Sequence, residues 1–145
     1  MIFLDANYFL RFLVEPDGPV NQARHEISAR LFATIELGAE EATTSEAALT
    51  EVAFILASKT QYNLPVADIA AYIAPLIRLP QLRLPRGQKR RYLRALEIWA
   101  ERPKLGFVDA LTAATVEHSD LLLATFDSDF DEVPYIRRWL PPGPK

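Results

Sequence analysis

The chain has 145 residues, a formal net charge of −3 and no cysteine. This length fits one domain with a substantial core, and a composition that is 50% hydrophobic and 24% charged is typical of a folded globular protein. The lack of cysteine excludes disulfides and thiolate metal sites, and two histidines, His25 and His118, are too few for a histidine-rich zinc centre.

The N-terminal sequence and the lengths of the apolar runs predict a cytoplasmic, soluble protein. Met1–Leu4 leads directly to Asp5, which leaves no room for the basic and apolar regions of a signal peptide. No apolar run approaches the ~20 residues that a membrane-spanning helix needs. We therefore expect a single domain over residues 1–140, followed by a short Pro-rich tail over residues 141–145.

Hydrophobic periodicity and turn residues predict alternating strands and helices. In the first half the predicted elements are a strand at Ile2–Leu4, a helix or loop to about Leu13, a helix from an Asn21 cap to Leu37, a short strand at Ala42–Thr44, a helix from a Ser45 cap to about Ser58, and a helix Val66–Ile77 that Pro75 should kink or split. In the second half they are a brief strand at Leu82–Leu84, helices at about Gly87–Glu101 and at Phe107–His118, a strand at Leu121–Phe126 and an edge strand around Tyr135–Ile136. Such alternation predicts an α/β sandwich with a mostly parallel sheet.

The segment Leu121–Phe126 is the most informative predicted strand. It is a short apolar run without turn residues, which is typical of a strand buried on both faces. It ends on Asp127 and Asp129, and open parallel sheets place their ligand sites beyond the carboxyl ends of their strands. If this strand lies parallel to Ile2–Leu4, then Asp127 and Asp5 lie side by side at one edge of the sheet. Asp is also a common turn residue, so the pair alone does not establish a site.

Two further acids occur within predicted apolar helices. Glu51 has apolar neighbours three and four residues away, so it either meets water on a narrow polar stripe or faces a cavity that binds a cation. Asp109 lies in the first turn of its helix, where an acid also interacts favourably with the helix dipole. His118 lies nine residues after Asp109, about 180° around the helix, so the two cannot act together. We interpret both histidines as structural or surface residues.

Together these acids favour a hard-metal site. Packing Asp5, Glu51, Asp109 and Asp127 into one small core without a cation would leave mutually repelling carboxylates. Oxygen ligands without Cys or His select Mg²⁺ or Mn²⁺. Such ions activate water and stabilise the leaving oxygen in phosphodiester cleavage. The chemistry indicated is metal-dependent hydrolysis of a phosphate ester.

The sequence also resembles the PIN-domain family over nearly its whole length. The blocks that carry the resemblance are Ile2–Asn7, Ser45 with Glu51, Asp109–Leu111 and Thr125–Phe130. The resemblance implies a three-layer α/β/α sandwich and an acidic Mg²⁺ or Mn²⁺ site that cleaves RNA. By position it assigns the family's four core acids to Asp5, Glu51, Asp109 and Asp127. It assigns Asp129 to an additional acid of the family, either behind the ligands or on a second metal ion, with Asn7 and Thr125 as supporting polar residues.

Compact chains of this kind look like the VapC toxins of toxin–antitoxin pairs. That resemblance implies an endoribonuclease toxin with a small antitoxin protein as partner, and a homodimer. The two apolar helices around residues 46–57 and 66–77 offer more hydrophobic surface than one side of a sheet needs, which is compatible with a dimer face.

A basic run is the remaining feature with a functional interpretation. Between residues 78 and 94 there are seven cations and no acid. The candidates for RNA binding among them are Arg86, Lys89, Arg90, Arg91 and Arg94. The run is either a solvated helix face or a groove that binds the RNA backbone without reading sequence.

Two other functions compete with a nuclease. A haloacid-dehalogenase-like phosphatase also begins with an Asp after a first strand, but it needs a second Asp two residues later, where this chain has Asn7. A PIN scaffold that binds RNA or protein without cutting is the alternative from a different class, and the presence of all four core acids argues against it.

Overall fold

The computed structural model describes residues 1–118, 121–140 and 142. Apart from Pro142, the predicted Pro-rich tail lies outside the described residues. The chain divides into two units, Met1–Lys89 and Arg90–Lys145.

The first unit contains two strands and four helices, and a fifth helix begins at its end. These elements are β1 (Ile2–Phe3), α1 (Ala6–Leu13), α2 (Gly18–Glu36), β2 (Ala42–Thr43), α3 (Glu46–Ala57), α4 (Val66–Ile77) and the first residues of α5 (Gln88–Glu101). Most of them confirm the elements predicted from hydrophobic periodicity.

The strands form a small parallel sheet, as predicted. β1 pairs with β2 in a register that places Ile2 opposite Ala42 and Phe3 opposite Thr43. A single parallel bridge joins Ala42 to Leu82, with Arg83 N donating to Ala42 O at 2.7 Å. The predicted strand Leu82–Leu84 is therefore reduced to one bridge, because no further backbone pairs follow it.

Packing of α1 against α2 and α3 forms much of the core of this unit. Phe9 and Leu10 of α1 are buried, and the rings of Phe9 and Phe32 lie 5.6 Å apart. Phe12 stacks on the same Phe32 ring at 4.6 Å. Aromatic contacts of this kind add to the stabilisation that burial gives, so they fix α1 on α2.

Two helix predictions were wrong in detail. The helix predicted from an Asn21 cap begins at Gly18 instead, with Pro19 in its first turn, where the missing N–H of proline costs nothing. α4 is one continuous helix and is not split at Pro75, which lies in its last turn. Gly38 ends α2 with φ of +85°, a conformation that glycine adopts without strain.

The second unit is built mainly on α5 and α6 (Phe107–His118), with short 3-10 helices at Pro103–Leu105 and Ser128–Glu132. The Trp99 and Phe107 rings contact each other at 5.5 Å between centroids. Arg94 of α5 binds both carboxylate oxygens of Glu117 on α6 at 2.8 and 2.9 Å. These contacts hold the two helices together.

The prediction of a strand at Leu121–Phe126 was wrong. The segment forms one parallel bridge, between Leu123 and Arg138, and otherwise has no regular secondary structure. Its side chains are not buried on both faces, since Leu121 and Leu122 are 50% and 54% exposed. An apolar run becomes a strand only where a partner accepts its backbone hydrogen bonds, and here that partner is a single residue pair. The predicted edge strand at Tyr135–Ile136 is likewise replaced by this bridge two residues later.

The fold is thus α/β, mainly helical with a small parallel sheet; its arrangement as three layers stays a prediction. No helix in the described ranges is both long enough and apolar enough to cross a membrane.

Candidate functional site

Asp109 is the predicted site residue whose electrostatics are most altered. It lies in the first turn of α6 and is half-buried, whereas the flanking Ala110 is fully buried. Burial raises the pKa of the Asp109 carboxyl, and the charges of Asp127 and Asp129 raise it further. The second unit therefore brings these three predicted site residues close enough to repel one another.

The backbone around Asp127 explains how two of these acids are placed. Asp127 caps the 3-10 helix Ser128–Glu132 by accepting a hydrogen bond from Asp129 N at 2.9 Å. Thr125 Oγ1 in turn accepts one from Asp127 N at 3.1 Å. This is the turn role that Asp commonly takes. It orients Asp127 and leaves both carboxylates exposed to solvent.

Asp5 occupies the end of β1, as predicted. It is exposed and caps α1, accepting a hydrogen bond from Ala6 N at 2.8 Å. Beside it, the buried Thr44 hydroxyl donates to Leu4 O at 2.8 Å and fixes the end of the strand. Asn7 follows in the first turn of α1 with its side chain exposed. Sequence reasoning identified Thr44 only as part of a strand, because nothing in its spacing signals a contact with residue 4.

Glu51 lies on α3 and is exposed to solvent, and its role as a cation ligand stays a prediction. The helix also exposes an apolar side chain, since Phe54, one turn later, is 72% exposed. The buried face of α3 consists of Ala48, Leu49, Val52, Ala53 and Leu56. Ser45 begins the helix as predicted, accepting from Ala48 N at 3.1 Å.

The donor chemistry of these residues fits a divalent cation. Asp109, Asp127 and Asp129 offer only oxygen atoms, and in the described part of the chain none of their carboxylates has an ion pair with Lys or Arg. Hard cations relieve such repulsion. No three acidic or imidazole side chains lie close enough to hold a metal ion among residues 1–118, 121–140 and 142. Asp5 and Glu51 belong to the first unit, so a ligand set that joins them to the other acids stays a prediction.

Several cations of the predicted RNA-binding run serve structural roles. Lys89 Nζ donates to Leu79 O at 2.8 Å, and burial, followed by the charge of Arg83, lowers the Lys89 pKa. Arg94 is held by Glu117, and Arg91 Nη1 donates to Thr115 Oγ1 at 3.0 Å. These three cations therefore have partners within the protein, whereas Arg86 and Arg90 are exposed, and RNA binding by the run stays a prediction.

Both histidines have the structural or surface roles predicted for them. His25 Nδ1 forms a 2.8 Å hydrogen bond with Arg11 O and so joins α2 to α1. His118 is exposed in the last turn of α6.

A groove in the first unit joins Asn7 to further polar residues that sequence reasoning missed. Its volume is about 340 Å³, and it is lined by Asn7, Tyr8, Arg11, Arg24, Ile27 and Ser28. The signal that could have found it is the helical spacing: Asn7 and Arg11 lie one turn apart on α1, as do Arg24 and Ser28 on α2.

A protein-family model described as PIN domain matches residues 2–135. No curated protein and no solved structure matches the chain significantly.

Proposed function

Because the chain belongs to the PIN-domain family, we propose that it is an endoribonuclease that depends on Mg²⁺ or Mn²⁺. The PIN fold is generally that of a metal-dependent nuclease. The observation that carries the proposal for this chain is the placement of Asp109, half-buried in the first turn of α6, near the carboxylates of Asp127 and Asp129, whose charges together with burial raise the Asp109 pKa. Perturbed carboxyl groups of this kind cluster at functional sites.

The residues proposed to hold the cation are Asp5, Glu51, Asp109 and Asp127, with Asp129 as an additional ligand. A divalent cation bound there supplies Lewis-acid chemistry and lowers the pKa of water. The protein's own contribution is to fix the carboxylates: Asp5 as the cap of α1, Asp127 as the cap of its 3-10 helix, and Asp109 in the first turn of α6. Thr125 and Asn7 support this arrangement as neighbouring polar groups. The proposal treats residues 1–140 as one nuclease domain.

The experiment is cleavage of a circular single-stranded RNA, which has no ends and therefore reports endonuclease activity alone. We expect Mn²⁺ or Mg²⁺ to support linearisation, EDTA to abolish it, and Asp5→Asn to lose it with an unchanged circular dichroism spectrum. Full activity in EDTA would contradict the proposal. A phosphoenzyme trapped on Asp5 would instead favour the phosphatase.

We further propose that the chain is the toxin of a toxin–antitoxin pair, acting in the cytoplasm with a small antitoxin protein as partner. This rests on the resemblance to VapC toxins. Expression of the wild-type chain is expected to arrest growth, and Asp5→Asn is expected to relieve the arrest. Growth that is unaffected by the active wild-type nuclease would instead indicate a PIN nuclease with another role.

A further inference from the structure

From the groove between α1 and α2 we infer a subsite that binds one nucleotide of single-stranded RNA, with Arg11 and Arg24 on its phosphate and Tyr8 against its base. The inference rests on the proposed function, because it takes RNA as the substrate. It places a contact with the substrate on α1 and α2, in addition to any made by the basic run of residues 86–94.

The charge of the groove is the first argument. Arg24 is exposed and has no hydrogen bond or ion pair in the described part of the chain. Arg11 Nη2 makes only a long 3.5 Å contact with the neutral Tyr62 hydroxyl, so no carboxylate neutralises it. None of the six described residues that line the groove is acidic. Two guanidinium groups without counter-charges favour a phosphate, which their planar forks bind through paired hydrogen bonds.

The groove's other residues match the remainder of a nucleotide. Tyr8 exposes 38% of its surface and Ile27 exposes 52%, giving an aromatic ring and an apolar contact for a base. The exposed Asn7 contributes an amide, which pairs with a base edge, whereas Ser28 is only 2% exposed and forms part of the groove wall. The volume of about 340 Å³ lies at the small end of the ~300–1,000 Å³ range of small-ligand sites, which suits one nucleotide.

The two helices that form the groove are joined by several contacts. His25 Nδ1 bonds to Arg11 O at 2.8 Å, and Phe32 of α2 contacts both Phe9 and Phe12 of α1. Contacts that fix the walls before binding lower its entropic cost.

The groove lies on the helix that a proposed catalytic residue caps. Asp5 caps α1, and Asn7 and Tyr8 follow in the first turn of the same helix. A strand whose scissile phosphate lies at Asp5 would therefore reach the groove with an adjacent nucleotide. An acidic peptide would use the arginines but not the Tyr8 ring or the Asn7 amide, so RNA is the favoured occupant.

The test measures binding of a fluorescent single-stranded oligoribonucleotide in EDTA, where metal-dependent cleavage is absent. Arg24→Gln is expected to weaken binding roughly tenfold, as loss of a charge-assisted hydrogen bond does. It should also reduce the slope of log affinity against log salt by about 0.7, the value for one phosphate contact on a single strand. Arg30→Gln is the matched control: it removes the same charge from the same helix, about 240° around from Arg24 and outside the groove.

Three outcomes decide the inference. The inference is supported if Arg24→Gln weakens RNA binding while Arg30→Gln does not, and if Arg24→Lys keeps the wild-type slope of log affinity against log salt. Equal effects of Arg24→Gln and Arg30→Gln would overturn it, because the contribution would then be general charge. Arg24-dependent binding of polyglutamate that is tighter than binding of RNA would overturn it in favour of a protein partner.

The same variants separate this inference from the nuclease proposal. If RNA binds in an Arg24-dependent manner but is not cut with Mn²⁺, the groove stands and the nuclease proposal fails. If RNA is cut with Mn²⁺ but Arg24→Gln leaves affinity and KM unchanged, the nuclease proposal stands and the groove fails.

Discussion

At the scale of single residues, the carboxylates have two compatible roles. Asp5 and Asp127 both cap helices, which alone would explain an acid at each position. Asp109 differs, since no described cation neutralises it and two carboxylates oppose its ionisation. The folded protein disfavours the ionised form of the Asp109 carboxyl, so its charge at neutral pH lowers the stability of the fold. A bound cation would offset this electrostatic cost.

This difference predicts how stability depends on pH. The pKa of Asp109 is higher in the folded state than the value of 3.8 expected for the unfolded chain. Above the folded-state pKa, the ionised carboxyl therefore destabilises the fold to its full extent. This destabilisation decreases as the pH falls and is gone below the unfolded value. Asp109→Asn should therefore raise Tm at neutral pH in EDTA, and its advantage should shrink as the solution is acidified. Thermal denaturation followed by circular dichroism measures this. An advantage that is independent of pH, or a lower Tm at neutral pH, would contradict the assignment.

At the scale of elements, sequence reasoning succeeded where the signals are local. The Ser45 cap and the bounds of α6 depend on neighbouring residues and were confirmed. Strand formation at Leu121–Phe126 depends on distant partners that hydrophobicity does not identify, and the prediction of a strand there was wrong. The same limit hid the groove between α1 and α2, since spacing shows which residues share a face but not which face lies opposite.

The cap of α3 gives a direct test at this scale. Ser45→Ala removes the acceptor for Ala48 N and should lower the free energy of unfolding by about 0.5–2 kcal/mol. Ser45→Asp should restore most of the loss, because aspartate caps as well as serine. Urea denaturation provides both values. If Ser45→Ala were neutral, the hydrogen bond would not contribute to the stability of the helix.

At the scale of the whole molecule, the homodimer implied by the family resemblance stays a prediction, and exposed apolar residues on α3 and α4 are its candidate surface. Phe54 is 72% exposed and Tyr72 is 47% exposed, and the two helices pack against each other within the first unit. Exposed aromatic side chains of this size are enriched at protein interfaces.

Charge introduced into this surface should therefore separate the copies. Phe54→Asp is expected to convert a dimer into a monomer in light scattering, because a charge within an apolar interface cannot be solvated or paired. Val20→Asp, at an exposed apolar position on α2, is the control and should leave the mass unchanged. A wild-type monomer at high concentration would refute the dimer, and a dimer unaffected by Phe54→Asp would place the interface elsewhere.

The central claim is that the acids support metal-dependent RNA cleavage, and the most direct test is the cleavage rate as a function of Mn²⁺ concentration. The wild-type protein is compared with Asp109→Asn, Asp127→Asn and Asp129→Asn, and with Asp68→Asn, which alters an exposed acid in the first turn of α4 as a control. The account predicts saturable activation of the wild type and the control, a loss of roughly 10²-fold or more for Asp109→Asn and Asp127→Asn, the scale of a single catalytic group, and a milder loss for Asp129→Asn. Cleavage that persists in EDTA, or that is equally fast in Asp109→Asn and Asp68→Asn, would contradict it.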